Sequence, residues 1–193
     1  MEEYNFFAFI NRMKYIIRWG LMKNTEKESL KEHSFDVAVI SHGLCLIGNI
    51  YFKKDYDLTK VLSYAMYHDG GEIITGDLPT PVKYLDKEIS GKYKEIENLA
   101  AKKLLNQLPE EMKTEYENIF FDNDDETKKI VKAADKLSAL IKCTQELSAG
   151  NKDFESAYES TLKSVKEMKM EEVDFFLKHF LPPFEKNLDE ITF

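Results

Sequence analysis

The sequence predicts an all-α fold, and two observations support this. Only 8 glycine and 5 proline residues occur among 193, which is too few for the many turns of an all-β protein. Long stretches rich in Leu, Lys, Glu and Ala place apolar residues three and four positions apart, the spacing of one helix face. With 43% hydrophobic and 32% charged residues, the composition is that of an ordinary globular chain. We expect one helical domain spanning residues 1–193.

The first three helices are predicted from apolar stripes and stop signals. The first covers residues 4–19, before Gly20, and its stripe consists of Phe6, Phe7, Ile10, Met13 and Ile17. In the second, over residues 29–50, Ser29 and Glu32 have the spacing of a capping box. Its buried stripe is expected to include Val37, Ile40, Leu44 and Ile47. The third covers residues 58–68 and leads to the pair Gly70-Gly71.

The remainder of the chain is also predicted to be helical, after a loop. Residues 75–81, Thr-Gly-Asp-Leu-Pro-Thr-Pro, contain two prolines, so the helix cannot continue there. Helices are then predicted over residues 87–107, 109–120, 126–149, 154–168 and 173–180. The Gly150-Asn151 pair is a suitable stop for the helix over residues 126–149.

Charge and hydropathy exclude several classes of partner. Lys and Arg number 27 against 35 Asp and Glu, and the net charge of −8 repels nucleic-acid polymers. A small phosphate ligand is still compatible, because a few local cations or a metal override the overall field. No run approaches the roughly 18 uncharged apolar residues of a transmembrane helix, and the N-terminus is acidic where a signal peptide is basic. We therefore expect a cytoplasmic protein with no membrane partner.

The candidate catalytic or metal-binding residues lie among the four histidines and in two acidic motifs, one at residues 68–72 and one around Asp135. His68 and Asp69 are adjacent, and Glu72 follows four residues after His68, so both lie on one face if the helix continues. Asp135 lies between apolar neighbours in a predicted helix, where a buried carboxylate favours a cation partner. Alone, a His-Asp dipeptide is more often a polar pair at a helix end. His42 is expected to be a core histidine.

The order His33, His68-Asp69, Asp135 resembles the ligand pattern of the HD-domain metal-dependent phosphohydrolases. The resemblance is closest to the bacterial HD-domain 5'-deoxynucleotidases of the YfbR type, and it covers nearly the whole chain in order. It rests on Arg18-Trp19, Glu32-His33-Ser34, Met66-Tyr67-His68-Asp69, the block GDLPTPVKY at residues 76–84 and the helix over residues 142–149. Gly70-Gly71 is a departure, because less glycine is expected there, and extra glycine is expected to loosen the backbone that positions Glu72.

The resemblance implies an HD-domain helical phosphohydrolase fold and a homodimer that hydrolyses deoxyribonucleoside 5'-monophosphates. It implies a divalent metal ion, Co²⁺ or Mn²⁺. The implied metal ligands are His33, His68, Asp69 and Asp135. Two nitrogen and two oxygen ligands are also compatible with Fe²⁺, Ni²⁺ and Zn²⁺, and the sequence does not choose among them.

The resemblance also implies roles in catalysis and substrate binding. Glu72 is the candidate to orient or deprotonate the attacking water or to protonate the leaving oxygen, and Arg18 to hold phosphate oxygens. Trp19 would pack near the sugar and Asp77 would accept the 3'-hydroxyl. The implied substrate-binding residues are Arg18, Trp19, His33, Asp69, Asp77, Leu78, Pro79, Thr80 and Asp135. Without the resemblance, Glu72 would be interpreted as an exposed helix-end glutamate and Arg18 as a surface charge. Trp19 would be interpreted as a core aromatic and Asp77 as a turn aspartate.

Two other functions are compatible with the same residues. The first is hydrolysis of another nucleotide or phosphorylated metabolite at the same metal site. The second is a non-catalytic helical module that binds a metal or a nucleotide. Metal-stimulated turnover that a chelator abolishes separates the enzyme from the binding module.

Overall fold

A computed structural model describes residues 3–79, 86–121 and 124–191 of the chain. Within these ranges, β pairing is limited to one isolated antiparallel bridge between Ile17 and Ser29. The predicted all-α fold class is confirmed. The α-helices are α1 (Phe6–Ile10), α2 (Leu30–Tyr51), α3 (Leu58–Tyr67), α4 (Glu72–Thr75), α5 (Lys87–Leu105), α6 (Glu110–Phe120), α7 (Asp125–Ser148), α8 (Glu155–Lys166) and α9 (Glu171–His179). Short 3₁₀ helices cover Asn11–Tyr15, Lys152–Phe154, Pro182–Glu185 and Leu188–Glu190.

Helix α2 begins at a capping box, as its sequence predicts. The Ser29 hydroxyl accepts a hydrogen bond from the Glu32 N–H, and the Glu32 carboxylate accepts one from the Ser29 N–H at 2.7 Å. Such a cap contributes about 1 kcal/mol to helix stability. The predicted stripe is buried, with exposed fractions of 0 to 7%. Its members are Val37, Ile40, Leu44 and Ile47.

By length and composition alone, α2 is apolar enough to cross a membrane, which differs from the expectation that no run approaches a transmembrane helix. Its most apolar window has a mean hydropathy of 1.3, and 50% of that window is buried within the fold. The helix packs against α3 and α7, and it contributes to the main core together with α8 and α9. A mostly apolar central helix is ordinary in a helical core.

Among the described residues, two hydrophobic clusters form the core, and α3 contributes side chains to both. The main cluster joins α2, α3, α7, α8 and α9. The smaller cluster contains Phe6 and three leucines from the end of α5 and the turn after it, and Tyr67 and Phe120 pack against it. Because Tyr67 is the last residue of α3, the chain passes directly from this aromatic packing into His68 and Asp69.

The prediction of one helix over residues 4–19 is wrong. The α-helix ends at Ile10, a 3₁₀ turn ends at Tyr15, and Ile17 is extended in its bridge with Ser29. The Arg18 N–H donates to the Glu28 carbonyl at 2.9 Å, so the segment pairs with the start of α2 instead of continuing as a helix. Consecutive aromatic and β-branched residues at positions 15–17 lower helix propensity and favour this extended conformation.

Candidate metal centre

Four side chains from three distant parts of the sequence converge between α2, α3 and α7. His33 Nε2 lies 3.2 Å from Asp135 Oδ1 and 3.6 Å from Asp69 Oδ2. His68 Nε2 lies 3.1 Å from Asp69 Oδ2. His33, His68 and Asp135 each offer a ligand atom, and these atoms lie within 4.8 Å of one another. The structure therefore brings together all four side chains that the resemblance implies as metal ligands.

The Nδ1 atom of each imidazole lies within hydrogen-bond distance of a protein oxygen. His68 Nδ1 lies 2.7 Å from the Ala65 carbonyl, which only accepts, so this nitrogen carries the proton and donates it. His33 Nδ1 lies 3.1 Å from Ser138 Oγ. Contacts of this kind orient the rings of metal-binding histidines. In the described part of the chain, both buried Nε2 atoms lack a hydrogen-bond partner of good geometry despite the nearby carboxylates.

The electrostatics of the cluster suit a divalent cation. Burial acts to raise the pKa of Asp69, but the charges of His68, His33 and Arg18 lower it overall, well below 3.8. Burial likewise acts to lower the pKa of His68, but Asp69 and Asp135 raise it to about 9. Burial acts to raise the pKa of Asp135 as well, but the hydrogen bond and charge of His33 lower it overall. Both carboxylates therefore stay ionised at neutral pH. The negative charges of Asp69 and Asp135, which favour a positive charge on His68, also favour a metal ion between these side chains.

The donor set fits a metal that keeps open coordination positions. Two imidazole nitrogens and two carboxylate oxygens suit Mn²⁺, Fe²⁺, Co²⁺, Ni²⁺ or Zn²⁺. His33 is fully buried, whereas the side chains of Asp69 and Asp135 are 23% and 41% exposed. One side of the centre is thus closed by protein and the other faces solvent, as a catalytic rather than a structural site requires.

Glu72 is buried beside the cluster. Helix α3 ends at Tyr67, and Glu72 begins α4 after a four-residue turn, so the helix does not continue from His68 to Glu72. Glu72 is nevertheless only 6% exposed, and it lines a pocket of about 170 Å³ together with His68 and Asp69. The reading of Glu72 as an exposed helix-end residue is wrong.

The two glycines of the turn allow other helices to approach the cluster closely. A Cβ atom on Gly71 would lie 2.8 Å from the carbonyl oxygen of Glu97 in α5. A Cβ atom on Gly70 would lie 2.6 Å from the ring of Phe120 in α6. The expectation that these glycines loosen the backbone is not what the structure indicates, because both are closely packed and neither has a positive φ.

We expect Gly71→Ala to destabilise the fold by roughly 1 to 3 kcal/mol, since the new methyl group meets a backbone atom that cannot rotate away. Gly91→Ala is the matched control, because nothing lies within 4 Å of its Cβ position within α5. That change should stabilise the helix by about 1 kcal/mol. Urea unfolding of both variants measures the difference, and equal stabilities would contradict the close packing at Gly71.

Arg18 and Trp19 share one acceptor. Arg18 Nη1 and Trp19 Nε1 each donate to Glu28 Oε2 at 2.9 Å. The Arg18 side chain is 13% exposed, so it is not the surface charge that its residue type suggests. Burial acts to lower the pKa of Arg18, but Glu28, then the carboxylates of Asp135, Asp69 and Asp77, raise it overall. The guanidinium of Arg18 is therefore close enough to the candidate metal site for the carboxylates there to raise its pKa.

The loop after α4 carries the other candidate substrate residues. Gly76 ends α4 with a φ of +76°, and the Tyr93 hydroxyl of α5 donates to its carbonyl at 3.0 Å. Asp77, Leu78 and Pro79 follow and are half-buried. Thr80 lies outside the described residues.

Three residues with evident structural roles at this site were not identified from the sequence. Ser138 lies three residues after Asp135, so helical spacing could have placed it on the same face. Glu28 and Tyr93 have no comparable local signal, because their partners are set by tertiary packing. His42 was expected in the core, but it is exposed on α2.

Comparison with known proteins gives consistent matches over the whole chain. The family model described as "5'-deoxynucleotidase YfbR-like" matches residues 5–184. A protein named 5'-deoxynucleotidase from Vibrio vulnificus is 45% identical over 194 residues, covering 100% of both chains. Another from Photorhabdus laumondii is 44% identical over 190 residues, covering 97% of this chain and 96% of the relative.

Solved structures show the same fold. An HD-domain phosphohydrolase from Listeria innocua superposes with a TM-score of 0.81 at 25% identity, covering 93% of this chain and 88% of that one. A cyanophage S-2L HD phosphohydrolase bound to dA and one catalytic Zn²⁺ ion has a TM-score of 0.68 at 19% identity, covering 93% and 96%.

Proposed function

The chain belongs to the YfbR-like 5'-deoxynucleotidase family, and on that premise we propose that it hydrolyses deoxyribonucleoside 5'-monophosphates to a deoxyribonucleoside and phosphate. The observation that carries the proposal is the convergence of His33, His68, Asp69 and Asp135, in which the two buried Nε2 atoms lie close to both carboxylates without a hydrogen-bond partner of good geometry. The buried guanidinium of Arg18 lies in the same field and supplies a cation for an anionic substrate.

His33, His68, Asp69 and Asp135 would hold the divalent ion. A bound ion would offset the negative charge of phosphate oxygens and lower the pKa of water. We propose Co²⁺ or Mn²⁺, following the family resemblance, and the donor set also accepts Fe²⁺, Ni²⁺ and Zn²⁺. Ser138 and the Ala65 carbonyl keep both imidazoles oriented toward this position.

Glu72 would transfer the proton, and Arg18 would bind the phosphate oxygens. Glu72 is buried beside His68 and Asp69, where its carboxylate would orient the attacking water and take its proton, or return a proton to the leaving ribose oxygen. Arg18 gives one N–H to Glu28 and has other guanidinium N–H groups to bind phosphate oxygens.

The sugar would lie between Trp19 and the loop at Asp77. Trp19 would pack against the 2' carbon, and Asp77 would accept a hydrogen bond from the 3'-hydroxyl. Leu78, Pro79 and Thr80 would complete this wall, and main-chain or side-chain atoms of His33, Asp69 and Asp135 would border the phosphate. None of these groups is assigned to a base edge, so tolerance among bases is expected to be broad.

We expect dAMP to be hydrolysed roughly fivefold to a hundredfold faster than AMP, because burying the 2'-hydroxyl against an indole without a partner costs about 1 to 3 kcal/mol. The measurement is phosphate release at saturating metal from dAMP, AMP and the corresponding 3'-monophosphates. A chelator serves as the control and should abolish all turnover. Equal rates for dAMP and AMP would contradict the proposed sugar contacts but would leave the proposed phosphate hydrolysis standing.

The same assay tests the two alternative functions. Preference for an unrelated phosphorylated metabolite would indicate a different substrate for the same site. Metal binding with no turnover of any monophosphate would indicate a binding module.

We also propose that the chain forms a homodimer in the cytoplasm, as the family resemblance implies. Helix α2 supports a self-association surface, because exposed apolar residues four and seven positions apart lie on one of its faces. They are Phe35, Val39, Leu46 and Ile50, with exposed fractions of 37 to 69%. Exposed apolar stripes of this kind commonly mark protein interfaces.

A further inference from the structure

Trp19 has a backbone conformation that its residue type disfavours. Its φ is +59°, in the left-handed region, where a bulky residue is strained. Lys53 and Lys169 also have positive φ values, but they lie just beyond the ends of α2 and α8, where this conformation is common. Trp19 follows no helix end directly. The surrounding contacts must therefore hold it in place.

Two groups of contacts hold Trp19, one at its carbonyl and one at Glu28. The Trp19 carbonyl accepts hydrogen bonds from the Met22 N–H at 2.9 Å and from Asn24 Nδ2 at 3.1 Å, which close the turn. The indole N–H and the Arg18 guanidinium both donate to one oxygen of the Glu28 carboxylate at 2.9 Å. The Glu28 carbonyl also accepts the Arg18 N–H. Glu28 thus binds the backbone of Arg18 and the side chains of both Arg18 and Trp19. The indole also packs against the buried ring of Phe154, with the ring centroids 5.4 Å apart, so Glu28 sets its orientation on that ring.

The segment between Trp19 and Glu28 is itself anchored to α7. Glu146 is 1% exposed, and its carboxylate accepts the Thr25 N–H at 2.9 Å and the Thr25 hydroxyl at 2.7 Å. Lys142 donates to the Glu26 carbonyl and pairs with Glu146. Because α7 also carries Asp135, the segment that presents Trp19 is fixed to the same helix as a metal-site residue.

We propose that Glu28 is a positioning residue that sets the preference of the site for deoxyribose, by holding the Trp19 indole and the Arg18 guanidinium in one relative orientation. This inference rests on the proposed function. An indole free to rotate would no longer oppose the 2'-hydroxyl, and a guanidinium without its acceptor would bind phosphate in several orientations. Losing Glu28 should therefore weaken discrimination as well as binding.

The test compares Glu28→Gln and Glu28→Ala with Glu26→Gln, an exposed glutamate of the same segment. In both Glu28 variants, the ratio of kcat/KM for dAMP to that for AMP should fall by roughly fivefold or more, and KM for dAMP should rise. Glu28→Gln is the milder change, because its amide oxygen still accepts a neutral hydrogen bond. Glu26→Gln should leave the ratio unchanged.

Tryptophan emission provides a second measurement that does not depend on turnover. Trp19 is the only tryptophan, so its emission reports directly on the indole. We expect emission at longer wavelength in both Glu28 variants, with metal content and circular dichroism unchanged. An unchanged emission spectrum and dAMP to AMP ratio would overturn the role of Glu28, as would equal losses of kcat/KM for both nucleotides. If the unaltered protein hydrolysed neither nucleotide, the proposed function would fail, and the emission shift would still test the positioning contact.

Discussion

Replacing His68 or Asp135 by alanine is expected to remove bound metal and activity together while the helices remain folded. The metal-dependent part of phosphate hydrolysis is worth several kcal/mol, which corresponds to a loss of roughly a thousandfold in turnover. The fold should survive, because a 193-residue chain with two hydrophobic clusters does not need a metal to form its core. Metal analysis and circular dichroism on the same samples measure both effects.

His42→Ala is the matched control for the loss of a histidine, since His42 is exposed on α2, the helix that also carries His33. It should retain metal and activity. Asp135→Asn keeps the size of the side chain and separates loss of the ligand charge from loss of packing. Full metal occupancy in His68→Ala and Asp135→Ala would remove these residues from the ligand set.

Replacing Glu72 by glutamine or alanine should instead leave the metal bound and slow turnover by about a hundredfold or more, as expected when a proton-transfer group is lost. Glu72 lies in the 170 Å³ pocket beside His68 and Asp69, but it is outside the proposed ligand set. The measurements are metal content, binding of dAMP to the variant, and single-turnover hydrolysis.

Glu97→Gln is the control for this change, because it removes a carboxylate from the same pocket and leaves the Glu72 side chain unaltered. We expect an effect of less than about threefold, since no proton transfer is assigned to Glu97. Near-normal turnover in Glu72→Ala would show that Glu72 has only a structural role. A comparable loss in both variants would indicate that the pocket needs its negative charge rather than a particular proton acceptor.

Local signals in the sequence predicted the parts of the fold that depend on near neighbours. Ser29 and Glu32 mark the start of α2 because both partners of a capping box lie within one turn. Gly150, with a φ of +81°, follows the end of α7 for a similarly local reason. The resemblance brought together His33, His68, Asp69 and Asp135, which the structure places in one cluster.

The failures of prediction have tertiary causes. Residues 15–19 have helical apolar spacing, but Arg18 pairs with Glu28, and Thr25 is bound by Glu146, which lies 121 residues away in the sequence. The low helix propensity of residues 15–17 is a local signal, but no window around Trp19 contains the contact with Glu146. His42 was assigned to the core because apolar residues surround it, but α2 is apolar on its exposed face as well. Periodicity therefore could not identify the buried face there.

Helix α7 contacts several separate parts of the site, so the positions of all of them depend on this one helix. Asp135 belongs to the proposed metal site, Ser138 contacts the His33 ring, and Glu146 binds the segment that leads to Glu28. If α7 opens, all three supports are lost in a single event. Amide hydrogens of α7 and of the segment at residues 24–28 should therefore exchange with solvent as one cooperative unit, so that the protein loses metal affinity and sugar discrimination together rather than in stages.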